Sequence, residues 1–128
     1  MIRIVKYSKR YEDALFDLIL SEGELWHEYS VKHKEQYIKA LKSSKAYLIM
    51  KGMKSIAYIR VKDDHGFGLY IYDLLVGKEF RSHHYGKLLI DHVIKIYPNH
   101  DIYVMSDVDA YYTKLGYEKI GSIFKVIS

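Results

Sequence analysis

The chain has 128 residues, with 20 lysines and arginines against 16 aspartates and glutamates, and hydrophobic residues make up 49% of it. This length and composition predict one domain, residues 1–128, and exclude global disorder, because hydrophobic residues are plentiful and the net charge is small. The sequence contains no cysteine, which excludes a disulfide scaffold, a cysteine-based zinc site, an iron–sulfur cluster and a cysteine nucleophile. Its apolar stretches are far shorter than the about 20 residues of a membrane span, and it has no dense basic run, so we expect a cytoplasmic protein that binds neither membranes nor nucleic acid.

Hydrophobic periodicity and turn residues divide the chain into ten elements. In chain order, they are a strand at 2–7, helices at 11–22 and 32–42, strands at 46–50, 55–62 and 69–76, a helix at 84–96, a strand at 102–105, a helix at 108–115 and a strand at 117–127. Ser8 is the expected cap of the first helix. The order βααβββαβαβ predicts an α/β or α+β fold in which helices flank a central mixed, mostly antiparallel sheet. We expect strand 69–76 at the centre of this sheet, with helix 84–96 packed on it.

The chemically informative segment runs from Asp73 to Leu89, where an apolar strand leads through a short loop into a helix. Free backbone N–H groups and the positive end of the helix dipole form an anion site at such a helix start. Arg81 and Lys87 add positive charge there, and Gly86 permits close approach of the backbone. The segment therefore fits a phosphate-bearing ligand, and the alternative is an ordinary connection with solvated cations.

Two common phosphate-binding motifs do not fit this segment. A P-loop needs glycine five residues before Gly86 and serine or threonine after Lys87, where the sequence has Arg81 and Leu88. A dinucleotide-binding fingerprint needs three spaced glycines, and only Gly77 and Gly86 are present.

Two motifs together resemble those of the GCN5-related N-acetyltransferase (GNAT) family. The first is Arg/Gln-x-x-Gly-x-Gly/Ala after an apolar strand, which here reads Arg-Ser-His-His-Tyr-Gly over 81–86. The second is an aromatic–Tyr pair followed by Lys, one residue, Gly and an aromatic, which here reads Tyr-Tyr-Thr-Lys-Leu-Gly-Tyr over 111–117. Their order, their separation and the order of elements also match that family.

The resemblance implies acetyl-CoA as cosubstrate and no metal. It places the pantetheine arm along the splayed end of strand 69–76, against backbone groups of Leu74, Leu75 and Val76. It places the pyrophosphate against main-chain N–H groups of the following loop and helix start, with the Arg81 side chain nearby. The implied cofactor-binding residues are Leu74, Leu75, Val76, Arg81, Ser82, His83, His84, Tyr85, Gly86 and Lys87.

His84 stands where the family has its first loop glycine. We expect this residue to take ordinary helical backbone angles, so that its N–H remains a donor without strain. His83 and His84 could also add positive charge beside phosphate.

The implied chemistry is direct attack of a neutral amine on the thioester. A backbone N–H near Leu74 or Leu75 would stabilise the developing oxyanion. The family's general acid maps onto Tyr112, whose hydroxyl keeps its proton at neutral pH and can give it to the leaving thiolate. On composition alone, the favoured interpretation of Tyr112 is one more packed aromatic among 14 tyrosines.

The general base and the acceptor are left open by the sequence. Asp73, Glu24, His27 and Glu28 are candidate bases, and Glu22, Glu24 and Glu28 together would favour a cationic acceptor. Each is otherwise an ordinary surface residue. Two alternatives to an amine acetyltransferase stay open: a non-catalytic acyl-CoA-binding or regulatory module on the same fold, and a nucleic-acid or protein interaction domain. A homodimer also stays open.

Overall fold

The computed structural model describes residues 1–127, which form a five-stranded sheet in the order β1-β2-β3-β4-β5. The strands are β1 (Ile2–Lys6), β2 (Lys45–Lys51), β3 (Lys54–Asp63), β4 (Leu69–Val76) and β5 (Ile102–Val104). Neighbouring strands are antiparallel from β1 to β4, whereas β4 and β5 are parallel. The parallel pair requires a crossover, and helix α3 (Tyr85–Ile96) supplies it.

The other helices are α1 (Glu12–Leu20), α2 (Lys34–Lys42) and α4 (Asp109–Lys114). Single 3₁₀ turns lie at Lys9–Tyr11, Glu24–Trp26 and Lys78–Phe80, and a π turn lies at Glu28–Lys32. The 3₁₀ turn before α1 separates Ser8 from the helix, and Ser8 makes no side-chain capping hydrogen bond, so its predicted capping role was wrong.

The sheet has an apolar core on each face, because alternate side chains of a strand point to opposite faces. On one face, α1 and α2 pack against residues such as Leu48 and Tyr58. On the other face, α3 packs against residues such as Ile49 and Ile59. The central strands β2 and β3 are therefore buried on both sides.

The predicted mixed, mostly antiparallel sheet with flanking helices is confirmed. β3 rather than β4 occupies the centre; β4 is the next strand outward and is interior, as its pairing with both β3 and β5 shows. Helix α3 packs on the sheet as expected.

The predicted last strand, 117–127, is wrong, because residues 115–127 form neither helix nor strand. Five of the apolar side chains there are 69–89% exposed: Ile120, Ile123, Phe124, Val126 and Ile127. Alternation of apolar and polar residues specifies a strand only where one face of that strand is buried, and neither face of residues 117–127 is buried. This segment borders a cavity of about 900 Å³ beside β5, α3 and α4.

Candidate active site

The two parallel strands β4 and β5 separate after a short stretch of pairing. Their register runs from Leu69 opposite Ile102 to Ile71 opposite Val104, and the N–H of Met105 donates to the carbonyl of Ile71 at 3.1 Å. On its other side, β4 stays paired with β3 as far as Val76. Residues 72–76 therefore border an opening where β5 would otherwise continue.

Backbone groups along this opening alternate in direction. The N–H of Gly77 donates to Ile56 of β3, whereas the carbonyl of Val76 accepts from the Arg81 side chain at 3.2 Å. Since successive residues of a strand direct their N–H and C=O groups to opposite sides, Leu74 and Val76 present these groups to the opening. The N–H and C=O groups of Leu75 face β3. Of the three strand residues predicted to contact the pantetheine arm, Leu74 and Val76 therefore remain candidates.

The bulge between β3 and β4 lies directly before this opening. Arg60 is opposite Asp73 and Val61 is opposite Ile71, so Tyr72 is the extra residue on β4. A bulge bends the strand and increases its local twist, which turns the second half of β4 away from β5.

The start of α3 lies at the end of the loop that follows β4. Ser82 and His84 both have left-handed backbone angles, with φ values of 67° and 63°. The expectation that His84 takes right-handed helical angles was therefore wrong: it occupies the position before the first helical turn, and that position requires positive φ. A non-glycine residue there costs about 1–2 kcal/mol, which explains why the resembling pattern has glycine at this place.

Gly86 in the first turn of α3 lies against the Tyr111 side chain. A Cβ at position 86 would overlap the hydroxyl oxygen of Tyr111 and would come within 3.8 Å of Leu74. The hydroxyl of Tyr111 thus lies between the helix start and the opening in the sheet. The sequence analysis gave Tyr111 no role of its own, although its place beside Tyr112 in the motif was the available signal.

The Arg81 side chain forms two hydrogen bonds within the protein. Its Nη2 donates to Glu22 Oε1 at 2.6 Å, and its Nε donates to the Val76 carbonyl. The Glu22 side chain is only 3% exposed, whereas that of Arg81 is 54% exposed. The sequence placed Glu22 among acceptor-binding carboxylates, which is wrong, since Glu22 is buried against Arg81.

Lys87 points along α3 rather than towards its start. Its Nζ lies 2.7 Å from Oδ2 of Asp91, one helical turn further on. This hydrogen bond and the charge of Asp91 raise the pKa of Lys87. The remaining predicted members of the loop, His83 and Tyr85, lie with their rings 5.9 Å apart, and His83 is exposed.

Tyr112 lies in α4 and is half-buried. Its ring stacks on Tyr117 at a centroid distance of 6.4 Å and meets Tyr111 edge-on at 5.0 Å. Burial raises the pKa of Tyr112 to about 12, with smaller contributions from Tyr111 and Asp107. The hydroxyl therefore stays protonated throughout the neutral range.

Asp73 belongs to a buried polar network on the α1/α2 face of the sheet. Its Oδ2 accepts from Arg60 Nε at 2.6 Å and from the Tyr37 hydroxyl at 2.5 Å, and Tyr37 also lies 2.8 Å from the Tyr58 hydroxyl. Burial and the Asp73 charge raise the pKa of Tyr37. With both bonds in place, Asp73 is a poor general base.

The other acidic candidates are dispersed. Glu28 forms an ion pair with Lys32 at 3.3 Å and lies 3.4 Å from His33 Nε2, while Glu24 is exposed and His27 is half-buried. The sequence missed Asp107, which is exposed and has no hydrogen bond or ion pair with residues 1–127. Asp107 follows β5 at the opening, and its charge contributes to the raised pKa of both Tyr29 and Tyr112.

Within the described residues, no group of three or more histidine, aspartate or glutamate side chains could hold a metal ion. Among residues 1–127, no helix has the length and apolar character needed to cross a membrane.

The sequence profile of the acetyltransferase (GNAT) family matches residues 11–117. The chain belongs to this family. The match includes β4, the loop into α3 and the Tyr112 motif, which carried the resemblance seen in the sequence. No curated protein matches the chain in sequence.

Solved structures share the whole fold at low sequence identity. A GNAT-family acetyltransferase of Streptococcus pneumoniae superposes with a TM-score of 0.75 at 18% identity, with all of both chains covered. An aminoglycoside acetyltransferase from an uncultured soil metagenomic sample gives 0.77 at 17% identity, covering 100% of this chain and 99% of that one. The aminoglycoside N-acetyltransferase AAC(6')-Iy, solved in complex with CoA, gives 0.74 at 13% identity, covering 100% and 95%.

Proposed function

We propose that the protein transfers an acetyl group from acetyl-CoA to a primary amine. The observation that carries this proposal is the opening between β4 and β5, beside which lie the start of α3 and the Tyr111 hydroxyl of α4. Family membership supports acetyl transfer in general. The cosubstrate, the amine specificity and the residue roles below are proposals.

The described residues fit an extended thioester cosubstrate with a phosphate end. Leu74 and Val76 offer backbone groups along the opening, as a pantetheine arm requires. Unpaired N–H groups of the 82–87 segment at the start of α3 suit pyrophosphate. Gly86 has no side chain here, and the Tyr111 hydroxyl fills the space that a Cβ would occupy.

Arg81 fits a phosphate role despite its two bonds. A guanidinium has five N–H donors, and the bonds to Glu22 and Val76 use two of them, which leaves three. Glu22 therefore fixes the side chain while the exposed part of the guanidinium remains able to meet an anion. We propose that Arg81 binds phosphate from this anchored position.

In the proposed reaction, the amine nitrogen forms a bond to the thioester carbonyl carbon, and the bond from that carbon to sulfur breaks. The N–H of Leu74 faces the opening and is our proposed donor to the developing oxyanion. Tyr112 gives its proton to the departing thiolate, so that CoA leaves as the thiol. The nitrogen loses one proton to solvent.

The substitution Tyr112→Phe tests this assignment, because it removes one hydroxyl and keeps the packed ring. We expect kcat to fall by about 10²–10⁴, the usual contribution of a general acid, while the affinity for acetyl-CoA changes little. Steady-state kinetics and a binding titration of acetyl-CoA measure the two quantities. Tyr117→Phe is the matched control, since Tyr117 stacks on the same ring. Equal kcat values for Tyr112→Phe and wild type would remove Tyr112 from catalysis.

A second candidate function is a non-catalytic acyl-CoA-binding module. The left-handed backbone of His84 favours it, because a strained side chain stands at the proposed phosphate site. A thermal shift with CoA but no thiol release from acetyl-CoA over a panel of primary amines would favour this function. The absence of any shift with millimolar CoA would contradict both.

A further inference from the structure

Three tyrosine rings form a continuous surface on the sheet beside the opening. Tyr70 and Tyr72 of β4 have ring centroids 6.5 Å apart, and Tyr70 lies 5.4 Å from Tyr103 of β5. The rings within each of these two pairs are inclined by only 36° and 30°. We call these three residues the tyrosine surface.

The tyrosine surface lies on the α1/α2 face of the sheet. The guanidinium of Arg60 lies over both the Tyr37 ring of α2 and the Tyr72 ring, at 5.5 and 5.3 Å. Leu69 and Ile71 point to the opposite face, into the core beneath α3. The tyrosine surface and the start of α3, where phosphate would bind, are thus on opposite faces of the sheet.

Of these three residues, Tyr72 is exposed, whereas Tyr70 and Tyr103 are half-buried. Tyr72 is 42% exposed, and the hydroxyls of Tyr70, Tyr72 and Tyr103 have no hydrogen-bond partner among residues 1–127. Arg60, in contrast, is fixed by its 2.6 Å bond to Asp73. Arg60 therefore lies against the Tyr72 ring and Gly68 packs against the rings of Tyr70 and Tyr103, which leaves Tyr72 as the exposed member of the tyrosine surface beside the opening.

This surface ends next to the proposed reaction centre. Tyr72 precedes Leu74 by two residues, a distance of about 7 Å along a strand. The connection between α1 and α2 places Trp26 and Tyr29 on the same face, with their rings 5.5 Å apart edge-on. Asp107 follows β5 at the same opening and places an unpaired negative charge there.

The geometry points to an acceptor amine that carries an aromatic ring. We infer that the tyrosine surface binds this ring and directs an alkyl amine group towards Leu74, so that the preferred acceptor class is the arylalkyl primary amines. Asp107 attracts the ammonium form in which such an amine reaches the protein, and this ammonium loses a proton to solvent before its nitrogen attacks the thioester. This inference rests on the proposed function and names the substrate class of the same site.

Offset or edge-on contacts between aromatic rings contribute beyond the burial of area, and saturated rings of equal size do not share this contribution. The decisive comparison is therefore 2-phenylethylamine against 2-cyclohexylethylamine, with acetyl-CoA and detection of released thiol. We expect kcat/KM to be about three- to tenfold higher for the phenyl compound. Tyr72→Leu should bring this ratio close to one, and Tyr72→Phe should keep it.

The control variant is Phe67→Leu, which changes an aromatic side chain that is 84% exposed in the turn before β4. We expect it to keep the wild-type ratio. Tyr103→Leu is a second variant on the adjacent strand, so the test does not depend on the folding of one variant. A phenyl-to-cyclohexyl ratio near one in the wild type, or an unchanged ratio in both leucine variants, would overturn the inference while leaving acetyl transfer intact.

Direct binding separates this inference from the proposed function. In ligand-observed NMR, 2-phenylethylamine should show saturation transfer from the wild-type protein in the presence of CoA, and the signal should be lost in Tyr72→Leu. If thiol release is absent with every amine, the proposed function fails, but this binding result still decides the role of the tyrosine surface. Equal saturation transfer in wild type and Tyr72→Leu would overturn that role.

Discussion

Two arginine–carboxylate pairs bracket the half of β4 that β5 leaves open, and both have a shortest N–O distance of 2.6 Å. In the Arg60–Asp73 pair, both side chains are enclosed by protein and Asp73 accepts a second bond from Tyr37. In the Arg81–Glu22 pair, the carboxylate is buried but its Oε2 has no partner among the described residues, and the guanidinium is half exposed.

The Arg60–Asp73 pair is therefore hydrogen-bonded within the protein, whereas the Arg81–Glu22 pair keeps hydrogen-bonding groups without a partner. Arg60 and Asp73 are occupied by each other and by tyrosines, so they fix the α1/α2 face where we place the acceptor. Arg81 keeps three free N–H donors on a half-exposed side chain, and we assign these donors to phosphate. Substitutions in both pairs, at the start of α3 and at Tyr112 test this contrast.

The Asp73→Ala substitution should give the largest effect, a loss of about 3–5 kcal/mol in the free energy of unfolding, because it leaves Arg60 and Tyr37 buried without their common partner. Urea denaturation measures this loss. Asp107→Ala is the matched control, since Asp107 is exposed and unpaired, and it should change stability by no more than about 0.5 kcal/mol. Similar losses for both variants would contradict the network's structural role.

Glu22→Gln should have a smaller effect, a loss of about 1–2 kcal/mol, because it removes a charge-assisted hydrogen bond whose arginine is half exposed. We also expect the KM for acetyl-CoA to rise several-fold with little change in kcat, since Arg81 would lose its fixed position. Denaturation and steady-state kinetics give the two readouts. An unchanged KM would show that Arg81 does not act through Glu22.

His84→Gly should stabilise the protein by about 0.5–1 kcal/mol, since relief of the left-handed backbone exceeds the entropy cost of glycine. The matched control is His83→Gly, because His83 is not among the residues with positive φ, and that change should be neutral or destabilising. Thermal unfolding of both variants measures the difference. Destabilisation by His84→Gly would mean that its imidazole has a role the backbone angle does not explain.

At neutral pH, the titration of Tyr112 should have the smallest effect, because its hydroxyl stays protonated there. Its folded-state pKa of about 12 lies above the unfolded value of 10.0, so its contribution to stability is complete below pH 10 and is lost as the pH rises towards 12. Absorbance titration at the tyrosinate band should show one late-titrating group fewer in Tyr112→Phe. If the group missing from the Tyr112→Phe curve instead titrates near pH 10 in the wild type, the burial of Tyr112 would be contradicted.

Much of the fold followed from local patterns. Apolar periodicity placed β1 to β4 and α3 within a residue or two, because each of these elements buries one face or both. The same reasoning failed for 117–127, where alternation is present but no partner strand pairs with the segment. Local pattern shows that a segment could form a strand, whereas only a neighbour with free N–H and C=O groups makes it one.

The candidate site likewise has features that the sequence predicts and features that it does not. The loop between β4 and α3 and the place of Tyr112 in a short helix could be predicted from the sequence, because turn residues and apolar periodicity mark both. The tertiary structure alone shows that His84 is left-handed, that Arg81 is held by Glu22, which is 59 residues away in the sequence, and that Tyr70, Tyr72 and Tyr103 lie together. Backbone angles at a helix start, ion-pair partners and ring contacts across strands are set by how distant segments pack, and spacing within one segment carries no information about them.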